Sequence, residues 1–396
     1  MAEPTILIVG GGFGQLPAVA VARRLGWRSV VIDRNPNAVA MRIADAAHVI
    51  DIVDAKAALQ VARAERIDGC LTLQSDIGVP TVGFVNDALG LQGVSHEVAV
   101  TCSRKDLARI CWAERGVAQP TFAIVRTLEE AREAAMSLEF PFIAKAADAS
   151  GSRGVVKVDT PAALSGAFET ALAASRAGIV VLEAFVDGRE IGAQTFSVDG
   201  HCEIVLLHDD QVSPPPFMIP IGHAYPITAQ ELDVGSARNT IAEAVDALGI
   251  QQGPANVDLI INNRGHAILL EVGARIGATC LPELTTLYTG TDWVEAAVRC
   301  AVGEHVWPVA QTEVPCAAMI LEASSDGVVT SVHVPDDVRH HPEVREVEVT
   351  VRPGDTVSRL RNGTDRIGKV VTTGATAHEA LRLAEWARSR INVEAA

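Results

Sequence analysis

The sequence predicts an α/β protein with a doubly wound parallel sheet at its N-terminus and an α+β later part. Three observations carry this. Apolar runs at Thr5–Val9, Ser29–Ile32, Ala47–Ile50 and Gly69–Thr72 alternate with helical stretches at Leu16–Leu25, Ala55–Glu65 and Ile77–Leu89, the order of a parallel sheet wound by crossovers. From Ile191 on, apolar runs are joined instead by short turn signals such as Asp199-Gly200, which is hairpin chemistry. At 396 residues, 48% hydrophobic and 21% charged, the chain is long enough for two or three cored domains.

The first turn, Gly10-Gly11-Gly12-Phe13-Gly14, with Asp33 ending the second strand, invites a dinucleotide reading and hence an NAD(P)-dependent oxidoreductase. The fingerprint requires glycine at its sixth position, where Gln15 stands. A glycine turn that lets strand and helix pack is the preferred reading. Near residue 101 the texture changes. Arg104–Arg115 is an amphipathic helix with Ser103 as N-cap and Asp106 three residues on. Thr127 and Glu130 form a capping box. Phe142–Lys145 is a strand ending in lysine, followed by the loop Ala147–Gly154 and the strand Val155–Val158. That loop is rich in Ser, Gly and Arg, so its backbone N–H groups, hydroxyls and Arg153 can wrap phosphates. Thr160-Pro161 starts a helix, Ile179–Ala184 is a strand carrying Glu183, and Glu190 opens the next strand. Gln211–Tyr225, with three consecutive prolines, reads as an exposed loop that closes over a substrate. His208, His223 and Tyr225 lie near it and read first as solvated residues. Ala229–Leu248, Leu281–Tyr288, Trp293–Val302 and Thr376–Arg390 are helices, and Ala317–Glu322, Val347–Val351 and Val370–Thr373 are strands.

The stretch Asn256–Thr279 concentrates the chemistry. It reads as a hairpin with Asn262–Gly265 as its turn. That pairing sets Ala267 opposite Ile260 and Leu269 opposite Asp258. Asp258 and Glu271 become diagonal neighbours on one face, about 7 Å apart and able to share a hard cation. A bulge would separate them. An ordinary hairpin with two solvent-facing acids fits the spacing equally well. The next residues, Gly273, Arg275 and Gly277, tip the reading, because a cation and an arginine beside a Gly-rich turn handle phosphoryl oxygens.

The net charge of −16 and the lack of a basic run exclude a nucleic-acid scaffold. No stretch reaches the roughly 18 apolar residues of a membrane span, and the start, Met-Ala-Glu-Pro, lacks a signal-peptide pattern. Seven scattered cysteines without a Cys-x-x-Cys pair suggest reduced thiols and a cytoplasmic protein.

Taken in order, these parts resemble the ATP-grasp superfamily of carboxylate–amine ligases. They are an open α/β domain, Lys105 on a helix, Lys145 ending a strand, the loop Ser150–Gly154, the hinge Glu183–Glu190, and Asp258 before Glu271 in a Glu-x-x-x-Arg motif. The Glu-x-x-x-Arg-x-Gly form and the tail Gly354–Ile391 look most like the branch of L-amino acid ligases, related to carbamoyl phosphate synthase. The resemblance implies an N-terminal domain (1–103), a lid region with the nucleotide hinge (104–190), a core with the metal hairpin (191–305) and a C-terminal lobe completing the core (306–396). It implies ATP as substrate and Mg2+, or Mn2+, as metal. Lys105 and Lys145 match ATP-binding lysines, Ser150, Gly151 and Ser152 the loop over the phosphates, Glu183 with the backbone of Phe185 and Val186 the adenine clamp, and Glu190 the ribose acid. Asp258 and Glu271 match the metal ligands and Arg275 the catalytic arginine. Many relatives carry asparagine where Gly273 stands, so either Asn256 compensates or one magnesium keeps an extra water. The implied partners are a small carboxylate and an amine, with amino acids in view and a homodimer by family habit. A bicarbonate-using or purine-type ligase and a non-catalytic ATP sensor are the alternatives.

Overall fold

A computed structural model describes residues 3–214, 219–229 and 232–396. The chain opens with β1 (Thr5–Val9), α1 (Leu16–Arg24), β2 (Arg28–Asp33), β3 (Ala46–Val49), α2 (Ala55–Glu65), β4 (Gly69–Leu71), α3 (Val79–Leu89) and α4 (His96–Cys102). The four strands form a parallel sheet in the order β3-β2-β1-β4. β1 is buried almost throughout because apolar side chains pack on both its faces: Ile6 and Ile8 join one cluster, Leu7 and Val9 another.

Next come α5 (Lys105–Arg115), β5 (Phe122–Val125), α6 (Leu128–Ala135), β6 (Phe142–Ala146), β7 (Val155–Val158), α7 (Leu164–Ala174) and β8 (Val180–Ala184). Their strands pair antiparallel in the order β5-β8-β6-β7 around a small core of their own. The capping box of α6 is present, Thr127 accepting from the Glu130 N–H and Glu130 from the Thr127 N–H. Ser103 is not the N-cap of α5. It ends α4, donating its hydroxyl to the Ala99 carbonyl at 2.8 Å, and the cap position belongs to Arg104. The expectation failed because α4, short and led by Ser95, was not seen in the sequence.

The largest sheet uses β9 (Gly188–Val198), β10 (His201–Val212), β11 (Pro220–Tyr225), α8 (Val234–Leu248), β12 (Gly253–Asn262), β13 (Ala267–Gly273), α9 (Leu281–Thr289), α10 (Trp293–Ala301) and β14 (Cys316–Leu321). The tail adds β15 (Gly327–His333), α11 (Asp336–Arg339), β16 (Val344–Val349), β17 (Thr356–Val357), β18 (Gly368–Thr373), α12 (Ala377–Arg390) and β19 (Asn392–Ala395). Eight strands pair as β13-β12-β9-β10-β11-β14-β18-β16, so the tail extends the same sheet. The Gln211–Tyr225 stretch is only partly loop: Pro220–Tyr225 pairs with β10 and β14. Its proline occupies the first strand position, which needs no ladder N–H. Residues 215–218, the middle of that stretch, and 230–231, expected at the start of the helix Ala229–Leu248 of which α8 is the described part, are outside the described residues. No helix among the described residues is long and apolar enough to cross a membrane, and no disulfide joins the seven cysteines.

One apolar cluster welds the N-terminal sheet to the large one. Trp293 of α10 is fully buried in it and meets Phe196 of β9 edge-to-face at 5.7 Å. Trp293→Ala removes that contact and leaves a cavity, a loss of about 3–5 kcal/mol. Phe13→Ser, at a 54% exposed position, changes stability by less than about 0.5 kcal/mol. Urea unfolding followed by far-UV circular dichroism separates the two.

Candidate active site

The turn of the central hairpin decides which side chains meet. Gly265 takes a positive φ of 78° and donates its N–H to the Asn262 carbonyl at 2.9 Å, while Asn262 donates to His266. This three-residue loop with a glycine bulge sets Ala267 opposite Ile261 rather than Ile260. A second irregularity lies between Asp258 and Leu259 and leaves Leu270 without an opposite number. The sequence reading placed Leu269 opposite Asp258, made the acids diagonal, and held that a bulge would part them. Two single-residue shifts occur, and together they restore the side-chain parity. Asp258 therefore stands directly opposite Glu271, and Asn256 opposite Gly273.

Arg109 of α5 braces the bulge. Its Nη1 and Nη2 donate to the Leu269 and Leu270 carbonyls at 3.0 and 2.9 Å, and its Nε to Glu183 Oε1 at 2.9 Å. The other Glu183 oxygen accepts from Lys145 Nζ at 2.6 Å. Burial alone would raise the Glu183 carboxyl, but the two cations outweigh it and hold it at about 2. Both Glu183 oxygens are thus engaged and only 1% of the residue is exposed.

In front of this network lie the acids. Burial, then the Glu271 charge opposite, pushes the Asp258 carboxyl up to about 8. Asn256 donates Nδ2 to Asp258 at 2.9 Å, and its own Oδ1 accepts from Gln194 at 2.6 Å. Asn256 as placed orients Asp258 and spends its oxygen elsewhere. Lys105 Nζ lies 3.2 Å from Glu271 Oε1 and donates to the Ala149 carbonyl at 2.8 Å. It ties the acids to the loop that carries Ser150, Gly151 and Ser152. Arg153 folds back onto that loop, bonding the Ser150 carbonyl. Arg275 pairs with Asp76 at 2.6 Å, a residue beyond β4 in the N-terminal sheet. A Cβ at position 273 would sit 2.7 Å from that Asp76 oxygen, so the ion pair itself occupies the room an asparagine would need. Two carboxylates forced face to face, one of them protonated for want of a counter-charge, are an all-oxygen donor set that fits a hard divalent cation.

The structure thus brings Lys105, Asp258, Glu271, Arg275 and the Ser150–Ser152 loop together, and sets Lys145 and Glu183 behind them. Phe185 is 40% exposed, with the Lys157 ammonium 4.7 Å from its ring centre, and Val186 is half-buried beside it. Glu190 is half-buried, its carboxyl raised by burial and then by Asp210. The sequence reading missed Arg109 and Asp76. Arg109 had a faint signal, three residues before Trp112 on an apolar helix face; Asp76 had none. The dinucleotide rival loses its anion site. Asp33 itself accepts the Gly11 N–H at 2.7 Å, and Gly11 has no room for even a Cβ beside it.

With this geometry in place, the chain is assigned to the ATP-grasp superfamily of carboxylate–amine ligases. It belongs there because the family model described as "Carbamoyl-phosphate synthase L chain, ATP binding domain" matches residues 104–307, more than half the chain. The model "L-amino acid ligase C-terminal domain 2" matches residues 319–396. A formate-dependent phosphoribosylglycinamide formyltransferase of Synechococcus sp. is 25% identical over 396 residues, 93% of this chain and 96% of that protein. The uncharacterized protein y4rH of Sinorhizobium fredii is 26% identical over 74% of this chain, which spans 61% of that protein's length. The crystal structure of L-amino acid ligase from Bacillus licheniformis superposes with a TM-score of 0.85 at 21% identity, covering 100% of this chain and 99% of that one. The fold is therefore that of the ATP-grasp ligases.

Two outcomes follow. Arg109→Met leaves Glu183 with one cation and strips the bulge of its donors. Chemical denaturation will show a loss of about 3–5 kcal/mol, and Mn2+ binding followed by electron paramagnetic resonance will weaken with it. Asp258 binds its proton more tightly folded than unfolded, so metal-free protein loses this contribution as pH rises from about 4 toward 8. A cation must displace that proton. Metal affinity therefore falls as pH drops below about 8, and calorimetry in buffers of different ionisation enthalpy will register close to one proton released per metal at neutral pH.

Proposed function

We propose that this protein is an ADP-forming ligase that phosphorylates a carboxylate with ATP and joins it to an amine, with amino acids as the substrate class. The observation that carries the reading is the facing pair Asp258 and Glu271, linked through Lys105 to the Ser150–Ser152 loop. The match of residues 319–396 to the L-amino acid ligase tail supports the substrate class.

A carboxylate is a poor acyl donor because oxide cannot leave; an acyl phosphate releases phosphate instead. Phosphoryl transfer is mostly positioning and charge neutralisation. Asp258 and Glu271 would hold magnesium, which when bound neutralises phosphoryl oxygens. Lys105 adds a positive charge between these acids and the loop, and the loop supplies backbone N–H groups. Lys145, Phe185, Val186 and Glu190 would line the nucleotide, while Glu183, held by two cations, fixes Lys145 in place. The Arg275 Nε is buried and has no partner among the described residues. With Asp76 steadying the rest of the guanidinium, that N–H is a preorganised donor for the oxyanion formed when the amine attacks. Dimerisation, which the family implies, belongs to the same proposal and is read by sedimentation velocity.

A second reading, a purine-type ligase using formate or bicarbonate, is favoured by the nearly full-length match to the formyltransferase. One assay separates them. ADP release with Mg-ATP is measured against amino acids singly and in pairs, and against formate and bicarbonate. Release that requires an amino acid and falls at least 100-fold in Glu271→Ala supports the first reading. Release driven by formate or bicarbonate alone supports the second. Mg-ATP binding without release under any of these conditions would leave the protein an ATP sensor.

A further inference from the structure

β10 and β11 bury a cluster that none of these roles uses. His208 and His223 are 1% and 4% exposed. Their Nδ1 atoms lie 2.8 and 2.6 Å from the same oxygen, Asp210 Oδ1. Two histidines and a carboxylate invite a metal reading. The spacings speak against it. Ligand atoms on a tetrahedral zinc stand roughly 3.3 Å apart, whereas these are N–H···O distances. Asp210 therefore accepts one N–H from each ring, and both rings are fixed as the tautomer with a bare Nε2. Neither Nε2 has a partner among the described residues, and leaving such an acceptor buried and empty is unfavourable. The Tyr225 ring meets His208 edge-on, but its hydroxyl is turned to Thr285.

The register ties this cluster to the acids. Glu271 faces Asp258, Asp258 faces Gly192, and Gly192 faces His208 across three adjacent strand pairs. Directly paired residues share a face, so His208 and Asp258 stand on the same side, roughly 10 Å apart at Cα. Gly192 has no side chain between them, and the His208 ring fills that gap: a Cβ there would lie 2.2 Å from Cε1.

We propose that His208, positioned by Asp210 and His223, is the proton acceptor for the amine substrate, binding its nitrogen directly or through one water beside the acyl phosphate. This rests on the ligase reading above. The amine arrives as an ammonium and cannot attack until it loses a proton. His208 Nε2 takes that proton, and the resulting imidazolium is held by Asp210. The freed lone pair forms the C–N bond, and the C–O bond to phosphate breaks with its electrons on phosphate. The second nitrogen proton leaves with the phosphate. The groups around the ring suit the role. Asp210 is kept ionised, because the two histidines outweigh the burial that would otherwise raise it. Burial holds His223 neutral against the pull of Asp210. Glu190 on β9 and Asp258 on β12 are both raised by burial and in part by the Asp210 charge, so a cation formed on the His208–Asp210 pair relieves that repulsion.

The test compares two nucleophiles. Wild type and His208→Gln are given Mg-ATP and each proteinogenic amino acid as carboxylate, with either an amino acid or hydroxylamine as nucleophile. Hydroxylamine is largely unprotonated at neutral pH and needs no base. The expected result is a fall of about 100-fold in the amide-to-hydroxamate ratio at pH 7, with amide formation climbing as pH approaches the amine's own pKa. Mg-ADP must still raise the melting temperature of His208→Gln as in wild type. If that variant does not fold, Asp210→Asn is read by the same ratio. Equal losses with both nucleophiles, an unchanged ratio, or an unchanged pH profile would overturn the inference while leaving the ligase reading intact. So would stoichiometric zinc in wild type that is lost in Asp210→Asn. No hydroxamate from wild type with any acid fails the ligase reading itself, and this inference with it.

Discussion

One guanidinium holds the catalytic half of this molecule together. Arg109 sits on a helix, yet three of its N–H bonds serve two strands of different sheets: Glu183 on β8 and the bulged carbonyls of β13. Arginine suits this, being always charged and planar, with donors in a fixed fork. A lysine there could not satisfy both carbonyls and a carboxylate at once. Because the bulge fixes the parity of β13, the position of Glu271 depends on a residue more than 160 positions earlier in the chain. The Glu183 strand and the Asp258–Glu271 hairpin are thus linked through a buried contact that no local sequence motif contains.

The second constraint is electrostatic. A hairpin with two carboxylates in direct opposition is unfavourable by itself. Here the repulsion is relieved in part by the Asp258 proton and in part by Lys105. Both are provisional partners, since a proton and a flexible lysine can be displaced by a cation with more charge. Glu183 contrasts with this, as its two cations are buried with it and leave no opening. The facing acids are built to exchange their counter-charge and Glu183 to keep its own, and this distinguishes the chemistry of the site from its scaffold.

The fold class was legible because it follows from periodicity. Runs such as Thr5–Val9 and Ser29–Ile32 bury both faces and read as parallel strands, and the Thr127–Glu130 box announces its helix. The hairpin was legible as a hairpin, but its register was not, because Asn262–Gly265 is compatible with more than one loop length and a bulge leaves no mark in the sequence. Of its two shifts, one comes from the Gly265 turn and the other is held by Arg109 at the Leu269 and Leu270 carbonyls, a residue far from the hairpin in sequence. Gly273 looked like an unexplained departure for a related reason. The space it leaves is filled by Asp76, a residue nearly two hundred positions away whose approach depends on how the N-terminal sheet docks. The histidines near the proline stretch looked solvated because three consecutive prolines at 214–216 suggested a loop over all of Gln211–Tyr225; in fact Pro220 begins β11, which carries His223 into the interior.

The large sheet also explains how the work is divided. Pairing fixes Asn256, Asp258, Glu190, His208 and Asp210 on one face, since a slip of one residue would turn a whole strand's set over. Charges held this way are preorganised and need not move as the reaction proceeds. In the proposed reaction the loop at Ser150–Gly154 closes over ATP and excludes water; Lys105, which donates to the Ala149 carbonyl and lies 3.2 Å from Glu271, links the start of that loop to the sheet. Phosphoryl handling at the Glu271 edge and the paired imidazoles further along then share a single stiff frame, with Gly192 as the gap between them. A substrate carboxylate activated at one end is presented to an amine at the other without rearrangement of the strands.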